Sequence, residues 1–458
     1  MRAGPSLLVA ALLAASVSRA QSNDPPEVRS APVHAKHTYT LKECLGFAEK
    51  NYPKIHEAAA QLSRMRAQVW EAKTAPYSLF TASAGVALAP TLAGTALYSP
   101  NTDATITSSM ALAWRVGIEG AVPLWTFGKI TNAIDAAEAQ TKVGEQNVRK
   151  AKNEMRLSVR QAYYGALLSR DAQALLNEAL SRVEQYLPRV EEKVESGEGD
   201  DIQLLKLKIH RAELQARLSE AQKQERIALS GLRFLTGMGP SLDVPDEPLR
   251  KVAHTLGPVT QYLTAARLFR PEINMARAGI LARRALVGLE RARYFPDIAV
   301  GLSASRSYAP EVSDQLNPFV KDDANYTRYG IGLVMTWNLD FLPRMARVAQ
   351  AEAQLEEIRA TEQYALGGVG VEVETAFAEA QDAGKRLEAW SDAARFARQW
   401  LVKVQQGIDV GTFEDQDIVD PAKEYALRRF AQMSATLDYN VAMAKLALAT
   451  GWDAVAPE

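Results

Sequence analysis

The sequence predicts a mostly helical protein made of two copies of one unit, in which very long helices carry four membrane strands. The first observation is an internal repeat, because Thr236-Gly237 and Thr450-Gly451 lie 214 residues apart. The second is a period-two pattern of apolar residues in four segments, two in each copy. The third is a pair of helical patterns far longer than globular helices. A unit this long exceeds any solenoid repeat, so we expect a pseudo-symmetric protomer of a larger assembly.

The first twenty residues have the pattern of an export signal. Arg2 supplies the positive charge, residues 7–15 are apolar, and residues 18–20 form a small-x-small cleavage site. The apolar run is too short for a retained membrane helix, and no later stretch reaches about 18 uncharged apolar residues. We therefore expect an exported chain whose mature part has no membrane helix. A mobile N-terminal segment is expected to follow at 21–38.

Charge and cysteine content exclude some classes of function. Lys and Arg number 53 against 54 Asp and Glu, which leaves a formal charge of −1. Nucleic-acid binding needs a basic face, so no nucleic-acid partner is expected. Cys44 is the only cysteine, and no intrachain disulfide can form. The charged residues Lys42 and Glu43 before it favour a buried thiol over a lipid anchor.

Residues with the spacing of an active site are also missing from the sequence. His34 and His37 are the only close pair of histidines, and they stand in a Pro-rich N-terminal stretch that favours a tail over a metal site. No Gly-rich phosphate loop follows a strand, and no nucleophile has a recognisable setting. The sequence therefore predicts no enzyme, no catalytic residue, no cofactor and no metal.

Two hairpins of alternating strands are predicted, at about 78–123 and about 297–340. Their apolar positions recur at every second residue, and small or polar residues stand between them. The connecting segments 89–104 and 309–325 are longer than a tight hairpin needs, as the outer loops of membrane barrels are. Strand length, small residues on the polar side and Trp or Tyr near the strand ends favour a membrane barrel over a soluble sheet with one wet face. The apolar set of the stronger strands is Ile106, Met110, Leu112, Trp114, Val116, Ile118 and Val122 in the first copy, and Tyr329, Ile331, Leu333, Met335, Trp337 and Leu339 in the second.

Four strands cannot close a barrel by themselves. An open sheet in lipid would leave the N–H and C=O groups of its edges without partners, so the chain must oligomerise. Two copies would give eight strands around a filled interior, and three would give twelve strands with room for a lumen.

The helical patterns predict a coiled-coil body. In the first copy the pattern runs from Gly128 to about Ser196, and Pro188 is its one strong break. About 68 residues of helix span roughly 100 Å. In the second copy the segment Gly367-Gly368-Val369-Gly370 predicts a local loosening or kink.

Each long helix ends in an acidic turn, at about 197–201 and about 407–417. Gly197 and Gly411, again 214 residues apart, can adopt a positive φ after a helix. Asp200 or Asp201 can then cap the next helix of the first copy.

This ordered, duplicated set of features resembles the TolC-like family of outer-membrane efflux proteins over the whole mature chain. Its marks are Pro76 and Pro296 before strands, Pro123 at the exit from the first hairpin, and the paired Gly turns and Thr-Gly helix ends. The resemblance implies a homotrimer with a 12-stranded barrel in the outer membrane and an α-helical tunnel across the periplasm. The three prolines would then mark the junction of barrel and tunnel.

The resemblance also implies a function. The protein would be the outer-membrane exit duct of a tripartite efflux or type I secretion system, passive in itself and dependent on a periplasmic adaptor and an inner-membrane pump. The alternative is a structural periplasmic coiled-coil protein without a pore. The sequence names neither the cargo nor the type of pump, because the pump makes the selection in such systems.

The family narrows its tunnel with aspartates just after the second Gly turn. The segment Val410-Gly411-Thr412 matches the start of that motif and places the ring aspartates at Asp417 and Asp420. Residues three apart share a helix face, so three chains would build two acidic rings that favour cations. A structural account is compatible with this role: Asp420 could be an N-cap and Pro421 the first helical residue.

Some positions depart from the family pattern. Gln203 and Lys206 occupy the corresponding positions of the first copy, and Phe413 stands where some relatives have a basic latch residue. Pro421 is unusual inside a helix. The closing contacts of the family are therefore not transferred to this chain. The residues expected at the tips, where an adaptor would bind, are Gly197, Asp200, Asp201, Gly411, Thr412 and Phe413.

The expected organisation has six parts. A belt midway along the tunnel, implied by the resemblance, would be formed by the N-terminal segment, the linker and the C-terminus. The parts are a signal at 1–20, a mobile segment at 21–38, a first repeat at 39–238, a linker at 239–259, a second repeat at 260–451 and a tail at 452–458.

Overall fold

The computed structural model describes residues 37–456, except for 78, 94–104, 198–199, 310–321, 323 and 414. The predicted signal, most of the predicted mobile segment with His34, and most of the two predicted outer loops lie outside the described residues.

The described chain consists of two copies of the same succession of elements. A short strand β1 (His37–Thr38) precedes the first copy, and a short strand β4 (Leu242–Asp243) lies between the copies. Each copy has a helix pair, a strand pair, a very long helix and a shorter returning helix. The first copy comprises α1 (Leu41–Asn51), α2 (Pro53–Thr74), β2 (Leu79–Ala93), β3 (Thr105–Trp125), α3 (Lys129–Glu195) and α4 (Asp201–Thr236). The second comprises α5 (Val259–Phe269), α6 (Pro271–Ala292), β5 (Asp297–Tyr308), β6 (Tyr326–Thr336), α7 (Phe341–Asp409) and α8 (Val419–Thr450).

The helix pair that opens each copy is broken by proline. Pro53 begins α2 and Pro271 begins α6, each as the first helical residue, where the missing N–H costs nothing. Before α1, Thr40 and Glu43 form a capping box: the Thr40 hydroxyl accepts from the Glu43 N–H at 3.4 Å, and the Glu43 carboxylate accepts from the Thr40 N–H at 2.9 Å. In both copies, the proline therefore fixes the residue at which the second helix of the pair begins.

The two copies also end alike. Gly237 and Gly451 have φ values of +67° and +68°. The fully buried hydroxyls of Thr236 and Thr450 donate to the carbonyl four residues earlier, at 2.7 and 2.8 Å. The repeated Thr-Gly pair thus ends the last helix of each copy. The threonine hydroxyl donates to a carbonyl of the last turn, and the glycine adopts the positive φ with which the chain leaves the helix.

The long helices α3 and α7 contain 67 and 69 residues, so each spans about 100 Å. Of the loosening or kink predicted at residues 367–370, the loosening is wrong, because α7 continues through all four. Val369 is 6% exposed and packs in one apolar cluster with Val373 and Ala376, one and two turns further on. Tertiary packing of this helix face outweighs the low helix propensity of the glycines.

The strands form one antiparallel sheet in the order β2-β3-β5-β6. The pairing of β3 with β5 joins the two copies, and it aligns Gly117 with Ser305 and Glu119 with Ser303. The edges of this sheet are β2 and β6. Within the described residues the sheet of one protomer stays open.

One face of the sheet is apolar and the other is polar. The register aligns Ala82, Ile118, Ala304 and Tyr329 in one row of the apolar face. On the polar face, the Thr91 hydroxyl lies 2.5 Å from that of Ser109. Gly120 makes room for its neighbour Phe80, since a Cβ there would lie 2.3 Å from the Phe80 ring. The strand lengths and faces agree with the period-two pattern of the sequence.

The first and last described segments of the chain and the inter-copy linker meet midway along the helices. β1 pairs in parallel with β4. Arg160, 1% exposed on α3, donates to Asp453 Oδ1 at 2.8 Å and to the Ala456 carbonyl at 2.6 Å. Asn440 on α8 donates to one linker carbonyl, at Arg250, and accepts from the linker N–H of Val252. These contacts gather the same three segments that the family resemblance places in a belt.

None of the helices in the described ranges combines the length and the apolar composition that are needed to cross a bilayer.

Candidate functional site

In the turn after α7, backbone N–H groups donate to carbonyls of the last turn of the helix. Gly411 has a φ of +79°, and its N–H donates to the Ile408 carbonyl at 3.0 Å. The Thr412 N–H donates to the Gly407 carbonyl at 2.8 Å, which completes a Schellman motif. The predicted glycine turn is confirmed, and its geometry aims the chain into the short helix that follows.

Phe413 packs back onto the helix that it has just left. A Cβ on Gly407 would lie 2.2 Å from the Phe413 ring, so a larger residue at 407 would displace this side chain. The Phe413 side chain remains 48% exposed. Sequence analysis singled out Phe413 but missed Gly407. The available signal was a second glycine four residues before Gly411, which places it on the last turn of the helix.

Asp417 and Asp420 follow this turn on two consecutive elements, a short 3-10 turn and the helix α8. Asp417 lies in the 3-10 turn Asp415–Ile418, and Asp420 is the second residue of α8. Both side chains are exposed in the protomer. Their three-residue spacing along one continuous helical path keeps them close to one face.

The N-cap expected at Asp420 is not observed. Ile418 occupies that position, and Pro421 is the third residue of α8 and is buried. A proline is tolerated there because the N–H groups of the first turn have no intrahelical acceptor. The helix begins early because the 3-10 turn runs directly into it. The Asp420 carboxylate sits in the first turn, where the helix dipole favours an anion.

In the turn of the first copy, the following helix has a side-chain N-cap, which α8 lacks. Gly197 again has a φ of +79°, and Asp200 caps α4 by accepting from the Ile202 N–H at 2.9 Å. This resolves the choice between Asp200 and Asp201, the latter being the first helical residue. Residues 198–199 lie outside the described part of the chain.

A deep groove runs from the acidic pair along the helices. It has a volume of about 1670 Å³ and lies between the pair α3/α4 and the pair α7/α8. Ile418 and Val419, the neighbours of Asp417 and Asp420, line its end. The walls are mainly apolar and include Tyr186, Leu207, Leu401 and Phe430. The segment that carries the two aspartates therefore reaches the groove through Ile418 and Val419, the residues between them.

The three predicted junction prolines lie where helices meet strands. Pro76 is in the 3-10 turn Ala75–Tyr77 before β2, Pro123 is at a register shift near the end of β3, and Pro296 directly precedes β5. Proline cannot donate to a ladder, so these positions suit strand ends and irregularities.

Phe127 completes the junction and was missed by sequence analysis. It has a φ of +52°, and its ring stacks on that of Phe295 with centroids 5.2 Å apart. Next to it, Lys129 donates to Asp297 Oδ1 at 2.8 Å and to the Phe295 carbonyl at 2.9 Å. These contacts tie the first copy to the second where the strands begin. A strained aromatic residue has no signature in sequence periodicity.

No group of three or more His, Cys, Asp or Glu side chains with the spacing of a metal site occurs in the described ranges. Cys44 is fully buried in the core, and burial raises the pKa of its thiol to about 12. A thiol with this pKa stays protonated and is a poor nucleophile.

Comparison with known proteins gives a consistent set of relatives. A family profile described as outer membrane efflux protein matches residues 45–238 and 263–452. The cobalt-zinc-cadmium resistance protein CzcC of Cupriavidus metallidurans is 23% identical over 185 residues, which span 40% of this chain and 44% of that protein. The solvent efflux pump outer membrane protein SrpC of Pseudomonas putida is 24% identical over 374 residues, 77% of this chain and 74% of that protein.

The fold is that of a known channel structure. The crystal structure of the open state of the MtrE outer membrane channel of Neisseria gonorrhoeae superposes with a TM-score of 0.73. The sequences are 18% identical, and the superposition covers 90% of this chain and 88% of that one.

Proposed function

The chain belongs to the outer membrane efflux protein family, and we propose that three copies of it form the passive exit duct of a tripartite efflux or type I secretion system. The family profile covers both copies of the repeat, which confirms the resemblance noted from the sequence. The protein is located in the outer membrane. Family membership leaves the alternative of a periplasmic coiled-coil protein without a pore unsupported.

The observation that carries the proposal is the exposed apolar face of the sheet. Tyr329 is 87% exposed in the protomer, Ile331 76% and Ile106 72%. Large apolar side chains in a contiguous exposed patch require a partner surface. Lipid is that partner, because the opposite face of the same strands is polar, as in membrane barrels.

The polar face favours three copies over two. An eight-stranded barrel has an interior just filled by side chains, whereas twelve strands leave a lumen. The polar face carries Arg115, Glu119 and Arg328 at exposed positions. Charged side chains are costly to bury without partners, so a water-filled lumen of twelve strands suits them better.

The helices would extend this lumen as a tunnel. α3 and α7 each span about 100 Å, and each turns back through α4 or α8 at a glycine tip. Each protomer would supply four helical positions around one axis. Two are the long helices α3 and α7, and two are the shorter helices that pack along them, α2 with α4 and α6 with α8. A trimer would therefore have twelve positions. The tunnel wall would cross the periplasm from the barrel to the tips.

Asp417 and Asp420 would narrow the far end of the tunnel. Their exposure, their position at the end of the groove and their place after the Gly411 turn support this role. Three chains would bring six carboxylates to the mouth and favour cations there. Phe413, which packs on Gly407, would support the turn that positions them.

The tips are the proposed contact for a periplasmic adaptor, which would connect the duct to an inner-membrane pump. They present Gly197, Asp200, Asp201, Gly411, Thr412 and Phe413. The pump would supply the energy, since the duct itself is passive. Relatives are named for metal-ion resistance and for solvent efflux, so family membership leaves the cargo of this duct open.

The test is single-channel conductance in planar bilayers. The wild type is compared with Asp417→Ala/Asp420→Ala, and the matched control is Gln203→Ala/Lys206→Ala at the corresponding positions of the first copy. We expect a small, cation-selective wild-type conductance that rises and loses selectivity in the aspartate variant only. A conducting wild type that ignores the aspartate change would move the constriction elsewhere, for example to Phe413. No channel from folded, trimeric protein would overturn the duct itself.

A further inference from the structure

Two arginines on the polar face of the sheet stand in neighbouring rows. Arg115 on β3 pairs with Ser307 on β5, and Arg328 on β6 pairs with Ser305. The register thus separates them by two strands across the sheet and by two residues along it. With a strand spacing of about 4.8 Å and a rise of about 3.3 Å per residue, their Cα atoms lie about 12 Å apart. Two arginine side chains can reach one ligand across this distance.

The Arg328 side chain leans towards the row of Arg115. Its guanidinium carbon lies 3.9 Å from the centroid of the Tyr326 ring. Tyr326 pairs with Ser307, which is also the partner of Arg115. The cation–π contact therefore directs the Arg328 head group from its own row into the neighbouring one.

The surroundings of the two arginines leave room for a ligand. The same face carries Gly85 and Gly117 together with the hydroxyls of Ser83, Ser305 and Ser307. Gly85 leaves space in front of its strand, since no atom lies within 4 Å of the position of a Cβ there, and the hydroxyls add hydrogen-bond donors. Two guanidinium groups with neighbouring hydroxyls match the oxygens of a carboxylate or phosphate group.

Arg115 is the central residue of β3, ten residues from either end, whereas Arg328 lies near the end of β6 that is remote from the helices. Arg328 is the third residue of β6, close to the segment that connects β5 and β6, and the helix-side end of β3 is Trp125. Glu119 is the acidic residue on the same face of β3. It is four residues from Arg115 towards the helices, about 13 Å along the strand, which is beyond ion-pair distance.

We propose that Arg115 and Arg328 form an anion-binding ring in the lumen of the barrel, at the level of Ser305 and Ser307 on β5. This inference rests on the proposed trimeric duct, in which three copies bring six guanidinium groups together. The ligands are solutes that carry a carboxylate or phosphate group.

The test is block of the single-channel current by inorganic tripolyphosphate, added to either side of a planar bilayer. The wild type is compared with Arg115→Gln/Arg328→Gln. The matched control is Arg306→Gln, because Arg306 lies at the same end of β5 but pairs with Val116 on the apolar face. Trimer formation is checked for each variant by heat-modifiable migration in gels.

We expect tripolyphosphate to block the wild type and the Arg306 variant alike. The double variant should need a roughly tenfold higher concentration, as expected for the loss of charge-assisted hydrogen bonds. Its reversal potential in a KCl gradient should also shift towards cation selectivity. If the double variant does not assemble, Arg115→Lys/Arg328→Lys, which keeps the charge and loses the planar fork, should weaken the block.

Two results would overturn the ring: block unchanged in the arginine variants, or block lost equally in the Arg306 variant. A wild-type trimer that forms no channel would instead overturn the proposed duct. The two failures are therefore distinguishable.

Discussion

Gly451 shows how closely the two ends of the second copy pack. Its φ is +68°, and a Cβ at this position would lie 2.8 Å from the carbonyl oxygen of Phe269 and 2.9 Å from its carbonyl carbon. These are backbone atoms and cannot move aside by a change of rotamer. Gly411 has a similar φ of +79° but no atom within 4 Å of the same position. The two glycines thus separate the effect of backbone conformation from that of a steric clash.

We predict that Gly451→Ala destabilises the protein more than Gly411→Ala. Both variants lose about 1–2 kcal/mol because an L residue is strained at positive φ. Only Gly451→Ala adds a clash with the end of α5. The midpoint of thermal unfolding, measured by circular dichroism on the trimer, should fall further for Gly451→Ala. Equal shifts would contradict the close approach of Gly451 to Phe269.

At the scale of elements, Arg170 joins α3, α4 and the inter-copy linker. From α3, its Nε donates to Glu225 Oε1 on α4 at 2.7 Å, and its terminal nitrogens donate to Asp243 and to the Val244 carbonyl beside β4. Burial alone would raise the pKa of Glu225, but hydrogen bonds from Arg170 and Gln173 outweigh it and lower that pKa. The inter-copy linker is therefore held to the helices by a largely buried charge network.

This network predicts a stability that depends on pH. Because the folded pKa of Glu225 is lowered, its contribution is present above the unfolded value of about 4.3 and is lost as the pH falls through the folded pKa. We expect Glu225→Gln to destabilise the protein by about 1–2 kcal/mol at neutral pH. The difference from wild type should shrink as the pH falls below about 4.

Thermal unfolding from pH 7 to pH 3 measures this effect. The matched control is Glu220→Gln on the same helix, where the carboxylate contacts Lys223 in solvent, 2.7 Å away, with 57% of its side chain exposed. Exposed pairs contribute little, so this variant should follow the wild type closely. A Glu225 variant that keeps a constant deficit down to pH 3 would show that packing, rather than charge, is responsible.

At the scale of the whole molecule, the sheet edges decide the assembly. β2 and β6 are paired on one side only in the protomer, whereas β3 and β5 are paired on both sides. Unpaired backbone groups are not tolerated in lipid, so in the proposed trimer each edge would pair with the next protomer. The sheet of the trimer would then be closed, with every strand paired on both sides.

Hydrogen exchange tests this closure. In the trimer embedded in lipid or detergent, we expect the amides of β2 and β6 to exchange as slowly as those of β3 and β5, because all four strands are paired on both sides. Mass spectrometry of peptides from each strand measures the rates, and the inner strands of the same sample are the internal standard. Fast exchange confined to β2 and β6 would mean that the sheet stays open.

Features that neighbouring residues encode were available from the sequence. The period-two pattern places both hairpins, because alternate side chains of a strand face opposite sides. The 214-residue repeat places the tip glycines and the Thr-Gly ends, because only glycine leaves a helix through positive φ without strain. The positions of Asp417 and Asp420 after the second tip were implied by the family resemblance, and their role stays a proposal.

Only the tertiary structure decided features that depend on residues far apart in the chain. The pairing of β3 with β5 puts Arg115 and Arg328 on neighbouring rows, although they are 213 positions apart. The packing of Val369 stabilises α7 where its glycines favour other conformations. The 3-10 turn before α8 makes Ile418, and not Asp420, the N-cap residue. The reason is physical: periodicity and turn chemistry act within a few residues, whereas register and burial are settled by contacts between distant segments.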